Sequence, residues 1–315
     1  MIIAWVLGSG GLFGSSLSTS LKRESAQIFN HSERLNWRNE TYLTFQLMNA
    51  VRSFAEIVST KSCYWQIYWA AGIGNLHSSK EELALETRVL SKLLIFIQTE
   101  RKLYDKNGCI IFSSSAGALY AGSKVAFINE STEISPTTEY AHQKLIQEKL
   151  VSEIINKNLR WKILIVRIAT LYGEGQALGK QQGLISEIAR RMLRNQPINI
   201  YVPFDTIRDY VYSIDAAAIT ILAAKKLNNK HGVFIKIIAS EIPTTIAQIL
   251  TTFKQVTKRK IRINIGNNNF GTIYSPRIEF HSINIPIETS LYRTSLLIGI
   301  SRVIANEHKL FIKNK

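Results

Sequence analysis

The chain has 315 residues, enough for one large domain or two modest ones around a sizeable core. Its 46% hydrophobic and 20% charged residues are ordinary for a globular protein, and no apolar run approaches the ~20 residues of a membrane span; the longest, LLIFIQ, stops at Gln98. The formal charge of +16 favours anionic partners, yet the basic residues are scattered, with the densest cluster only Lys254 to Arg262, and no zinc finger or basic helix interleaved with aromatics accompanies them. A scattered basic surface is expected, not a nucleic-acid interface.

The opening MIIAWVLGSGGLFG lacks the basic residues of a leader and carries glycines where a leader would stay apolar, so a strand and tight turn are expected, in a cytoplasmic protein. From there short β-rich runs alternate with helical stretches, which predicts an α/β fold with a parallel sheet wrapped by helices. The strands are expected at 2–8, 26–30, 65–72, 108–115 and 161–168, several as continuous apolar runs suited to burial on both faces. Between them, 80–102 reads as an amphipathic helix with Leu83, Leu90, Leu93, Leu94 and Ile97 on one stripe. The stretch 137–158 reads likewise, with Leu145, Ile146, Leu150, Ile154 and Ile155 as its apolar face. Beyond Gly173 come a loop (173–183), a helix (184–195), a short strand with a turn (198–210), a strand (232–238), a helix (244–259) and a helical pattern in 285–315. Cys63 and Cys109 have no paired spacing; both read as small buried thiols of a reducing compartment, with no disulfide or metal site implied.

Three stretches carry chemistry. GSGGLFG places Gly8, Gly11 and Gly14 directly after the first strand and before a helix, where glycines serve a tight turn, close approach to a pyrophosphate and tight helix–strand packing. Leu12 and Phe13 lie inside the same turn. The helix start then offers free amides to phosphate. An acid for the ribose hydroxyls is expected about 20 residues on. That place is held by Asn30, with Arg34 close behind and Glu33 the single acid, a slight lean from NAD towards NADP.

The strand IIFSSS ends in Ser113, Ser114 and Ser115, at the carboxyl edge of the sheet where ligands of such folds sit. Tyr140 follows 25 positions after Ser115, and Lys144 stands one helical turn further on. A neighbouring ammonium favours the phenolate and brings a tyrosine from its usual pKa near ~10 towards working pH, which suits proton transfer at an alcohol or ketone.

Together GSGGLFG, WAAG, SSSAGALY, YAHQK, RIATLYG and RDYVYSIDAA occur in an order that resembles the extended short-chain dehydrogenase/reductase family, in its nucleotide-sugar epimerase/dehydratase/reductase branch. These pieces span about residues 1–220. The resemblance implies a Rossmann-type doubly wound sheet over 1–172, with 208–238 returning to it, and a smaller substrate-binding lobe from 173–207 and 239–315. It implies Tyr140 as the catalytic tyrosine, Lys144 as the residue that holds the nicotinamide ribose and lowers the tyrosine pKa, and Ser115, with Ser114 as the alternative, as the serine. Ala70, Ala71 and Gly72 resemble the segment beside the cofactor, Thr170 stands at a substrate-binding position commonly asparagine, and Arg208 matches a residue that grips a nucleotide diphosphate. Arg167 reads as either structural or phosphate-facing, and Asp215 as structural. The Asp–Glu pair of sugar dehydratases is replaced by Ala116 and Gly117, which disfavours dehydration. The expectation is an NAD- or NADP-dependent epimerase or reductase of a nucleotide-diphosphate sugar, a homodimer through the tyrosine helix. A non-catalytic NAD(P)-binding regulatory protein on the same fold is the alternative.

Overall fold

In the computed structural model all residues are described except 32, 73–77, 159, 177–182, 229, 267–274 and 314–315. The first half alternates strands β1 (Ile2–Leu7), β2 (Gln27–Phe29), β3 (Tyr64–Trp69) and β4 (Gly108–Ser115) with helices α1 (Leu12–Arg23), α2 (Glu40–Ser59), α3 (Lys80–Thr99) and the short α4 (Arg101–Tyr104). Next come the single-turn α5 (Ala116–Leu119), β5 (Phe127–Ile128), α6 (Glu139–Glu153), which continues as a 3-10 turn to Lys157, and β6 (Trp161–Ile168). The second half holds β7 (Thr170–Tyr172), α7 (Leu184–Leu193), β8 (Ile198–Ile200), β9 (Ile207–Tyr212), α8 (Ser213–Lys226) and β10 (Gly232–Ile238). It closes with β11 (Pro243–Thr245), α9 (Ile246–Thr257), β12 (Ile263–Ile265), β13 (Glu279–Phe280) and α10 (Leu296–Lys313).

The main sheet has six strands in the order β10-β6-β4-β3-β1-β2, every neighbour pair parallel. Strand side chains alternate between faces, so β1 sends Ile3, Trp5 and Leu7 into one core with Phe54, Leu93 and Trp161, and Ala4 and Val6 into another with Leu17, Leu164 and Ala216. A sheet covered by helices on both sides needs strands apolar on both sides, and β6 is buried at all eight positions. This is the Rossmann-type layering anticipated from the alternation of runs. Strand order reverses between β1 and β3, and the crevice beyond their carboxyl ends is where ligands bind in open sheets of this kind.

A third core, built from Ile185, Ile188, Ile198, Ile249, Phe253, Ile300 and Val303, gathers the later helices over a three-stranded sheet, β11-β9-β7. Strand β9 serves both parts: Val211 enters the large core, while Tyr210 and Tyr212 face the small one. The expected division at Arg208 therefore falls inside a strand that the two cores share.

Local signals explain several helix starts. Ser79 and Glu82 form a reciprocal capping box at the start of α3, Thr245 and Gln248 do the same for α9, and Asn39 and Thr138 cap α2 and α6 through their side chains. Helix α2 has no counterpart in the sequence reading. Helix α6 differs more deeply. Its buried residues are Ala141, Lys144, Gln147, Glu148 and Val151, while Leu145 and Leu150 are half-buried and Ile146 is 46% exposed. Of the expected apolar face, Ile154 and Ile155 are buried and Leu145 and Leu150 pack half-buried against the cores, so only Ile146 points outward; the centre of the inner face holds a polar network instead.

Candidate functional site

At the carboxyl edge of β1 the chain turns at Gly8, whose φ of +86° lies in the left-handed region. A side chain there would also meet the Ala70 carbonyl oxygen at 2.4 Å. Gly14, in the first turn of α1, would meet the Gly8 carbonyl oxygen at 2.1 Å, so helix and strand close on each other only without side chains. Gly10 has open space where a Cβ would stand, and Gly11 caps α1 with no side chain bonded to the first amides. Phe13 is buried in the core below, and Leu12 is half-buried at the rim. An open backbone at a helix start fits a pyrophosphate. Ala70 lies against this turn, its amide donating to Leu7 O at 2.9 Å, with Ala71 buried and Gly72 exposed beyond it. The glycine turn and the Ala70–Gly72 segment are thus one wall of the crevice. Asn30 and Arg34 are both exposed past the end of β2, and the neighbouring Glu33 carboxylate accepts hydrogen bonds from Tyr42 and Gln46 of α2, each at 3.0 Å.

The other wall is β4 and α6. Residues Ser113 to Ser115 end β4; Ser114 is buried with its hydroxyl unpartnered, whereas Ser115 caps α5 by accepting from Ala118 N at 3.3 Å. It is the Ser115 hydroxyl, not that of Ser114, that acts on the Tyr140 phenol and favours its ionised form. Lys144 Nζ sits 5.7 Å from the centre of the Tyr140 ring and 5.3 Å from that of Phe112. Serine, tyrosine and lysine are therefore brought together.

Lys144 has a partner that the sequence reading did not foresee. Its Nζ donates to Glu86 Oε1 at 2.9 Å and to Gln147 Oε1 at 3.0 Å, and Glu86, from the middle of α3, is 1% exposed. Gln147 donates in turn to Glu86 Oε1 at 3.3 Å and to Thr87 Oγ1 at 3.1 Å, and Thr87 donates to Gln143 Oε1 at 2.8 Å. The Glu86 carboxylate also lies under Gly72, where an added Cβ would come within 3.0 Å of Oε2. One signal was available: Glu86 falls within the Leu83–Leu90 stripe, an acid on an apolar face.

The electrostatics follow from this packing. Burial works against the charge of Lys144, but Glu86, Tyr140 and Glu148 outweigh it and raise the ammonium pKa above the lysine range. Burial raises the Tyr140 phenol, Lys144 and the Ser115 hydroxyl pull it down, and Glu86 pushes it up again; the net direction is upward. Lys144 does act to lower the tyrosine, as anticipated, but it does not prevail.

The remaining expected residues separate. Arg167 is buried in a bidentate pair with Glu148, at 3.1 and 2.7 Å, and donates to Tyr120 Oη at 2.7 Å, so it holds α6 onto β6 instead of facing a phosphate. Asp215 accepts from Thr294 N at 2.6 Å and Thr294 Oγ1 at 2.9 Å, a tie between α8 and the later lobe. Arg208, on β9, is half-buried and donates to Ile207 O at 2.7 Å; Thr170, on β7, is paired in register with Tyr210. His142 is exposed. Among the described residues no cluster of three metal-ligating side chains occurs and no helix is long and apolar enough to cross a membrane.

Comparison with known proteins agrees with this fold. The model of the NAD dependent epimerase/dehydratase family matches residues 4–237. The chain is 28% identical over 224 residues to the dTDP-4-dehydro-6-deoxyglucose reductase of Escherichia coli, covering 67% of this chain and 68% of that protein. Among solved structures, the UDP-glucose 4-epimerase of Thermotoga maritima with UDP-glucose superposes with a TM-score of 0.77 at 20% identity, over 99% of this chain and all of the other. The UDP-glucuronic acid 4-epimerase of Bacillus cereus, in complex with UDP-glucuronic acid and NAD, gives 0.72 at 18% identity, over 98% of this chain and 100% of the other.

Proposed function

The chain belongs to the NAD dependent epimerase/dehydratase family, and from that premise we propose that it interconverts a hydroxyl and a keto group on the sugar of a nucleotide-diphosphate sugar. The observation that carries the reading is the Ser115–Tyr140–Lys144 constellation beside a glycine turn at the sheet's switch point. When bound, a nicotinamide dinucleotide supplies the hydride acceptor or donor. The turn at Gly8, Gly11 and Gly14, with Leu12 and Phe13 anchoring it, would hold the pyrophosphate; Ala70 to Gly72 would flank the dinucleotide. Tyr140 exchanges the proton at the sugar oxygen, Ser115 holds that oxygen in place, and Lys144 keeps the charge balance around the phenol. Arg208 and Thr170, on the paired strands β9 and β7, are assigned to the substrate side. A guanidinium suits a diphosphate because its fork of donors matches two oxygens.

NADP is the favoured dinucleotide in this reading. What supports it is the absence of a free acid after β2: Glu33 is engaged by Tyr42 and Gln46, and Arg34 stands exposed beside it. A homodimer through the outer faces of α3 and α6 belongs to the same reading, with Ile95 and Ile146, 51% and 46% exposed, at its centre.

The test is Tyr140→Phe. Turnover of a panel of UDP- and dTDP-linked sugars should fall by ~10²–10⁴-fold while NAD or NADP still binds by fluorescence titration. Unchanged turnover would remove Tyr140 from the mechanism; no turnover by the unmodified protein with any sugar of the panel would favour a binding protein on the same fold.

A further inference from the structure

A buried acid on a helix that otherwise buries only apolar residues requires an explanation. Glu86 shares its face of α3 with Leu83, Val89 and Leu90, and its carboxylate accepts from Lys144 and Gln147. A carboxylate with under 2% exposure is costly unless it is paired, and so is the ammonium opposite it. Each therefore depends on the other. Together they form a neutral unit one helical turn from the phenol.

Consider the charges that face Tyr140 from each element. Among the described residues, α6 contributes Lys144, α3 contributes Glu86 and β4 the Ser115 hydroxyl; Glu148 of α6 acts on Lys144 and is itself paired with Arg167 of β6. Lysine against Glu86 and arginine against Glu148 cancel. Counting the described residues, with Tyr140 protonated the buried group carries no net charge, and ionising the phenol would add one negative charge to it. Without Glu86 the balance reverses: a protonated tyrosine would leave Lys144 uncompensated, and the phenolate would neutralise it.

We propose that Glu86 is a positioning residue that neutralises Lys144 and so reserves Tyr140 for donating a proton to a carbonyl, which suits the reduction of a keto sugar over the opening oxidation of an epimerase. The proposal rests on the reading of the preceding section and deepens it. In the reduction, the carbonyl carbon gains a hydride from the reduced dinucleotide, the carbonyl oxygen takes the Tyr140 proton, and the resulting phenolate is reprotonated from solvent. The net change is one carbonyl reduced and one nicotinamide oxidised. An epimerase must begin in the other sense, with Tyr140 as base. The upward direction of the phenol pKa agrees with the donor role.

The experiment is an ultraviolet difference titration of tyrosinate in the substrate-free protein. The chain has 12 tyrosines, so Tyr140 is isolated by subtracting the matching Tyr140→Phe variant at each pH. Glu86→Gln keeps the shape and an acceptor but removes the charge, and should lower the Tyr140 inflection by about one pH unit or more. Glu86→Asp keeps the charge and should leave it near that of the unmodified protein. With active material, the alkaline limb of keto-sugar reduction should move to lower pH by the same amount in Glu86→Gln only. An inflection that is unchanged or higher in Glu86→Gln overturns the proposal. Should Glu86→Gln fail to fold, the unmodified protein decides alone: Tyr140 must titrate above the ordinary tyrosine value of ~10, and an inflection below it overturns the proposal. The titration needs no substrate, so a failed substrate panel would sink the functional reading without touching this result.

Discussion

Helices α3 and α6 lie side by side over the same sheet and bury their inner faces by opposite means. Helix α3 puts Leu83, Val89, Leu90, Leu93, Leu94 and Ile97 inside and admits one acid. Helix α6 puts Lys144, Gln147 and Glu148 inside between Ala141 and Val151 and leaves Ile146 outside. An apolar face needs only complementary volume. A charged face needs a specific partner at every donor and acceptor, and α6 draws its partners from α3 and β6. The helix carrying the candidate chemistry is fixed by matched charges as well as by packing, while its neighbour is fixed mainly by packing.

Substitutions can break that contrast. The largest effect is expected from Glu148→Ala, which leaves the Arg167 guanidinium buried against β6 without its carboxylate; such a loss typically costs ~3–5 kcal/mol, measurable by urea unfolding. Replacing both, as Glu148→Leu with Arg167→Met, should restore most of the loss, since an apolar pair of similar volume is often no less stable. A double variant as unstable as the single one would mean that α6 is not fixed by charge pairing. Next comes Leu90→Ala in α3, 1% exposed, expected to cost ~2–4 kcal/mol from lost burial and the cavity left behind, with little dependence on pH or salt. The smallest effect belongs to Ile146→Ser, which on the exposed side of α6 should change stability by under ~0.5 kcal/mol. A loss above ~1 kcal/mol that depends on protein concentration would place this face in a subunit interface.

The same contrast explains what was legible in the sequence. Five of the six strands of the main sheet were readable within a residue, and β3 was read three residues too long at its end; strands buried on both faces are continuous apolar runs. The apolar stripe of α3 was readable because periodicity reports packing. The inner face of α6 was not, since a lysine and a glutamate at helical spacing look like a solvated surface until their partners are known. Those partners are 58 residues away for Lys144 and 19 for Arg167, distances over which no local pattern reports. Helix α2 is a milder case, since Leu43, Leu47, Val51, Phe54 and Val58 face one core at a helical spacing that the sequence does carry. Tyr140 and Lys144 were legible as a pair, and the acid that governs them was hidden inside the best-predicted helix.

One thiol offers a use unrelated to chemistry at the site. Cys109 lies in β4, the strand that delivers the serines, at 0% exposure, and burial lifts its pKa to about 12. Cys63 is only half-buried, on the approach to β3. A thiol reagent should therefore modify Cys63 directly and Cys109 only after the sheet opens. With Cys63→Ser in place, the labelling rate of Cys109 under native conditions becomes a clock for global unfolding, readable by mass spectrometry without denaturant.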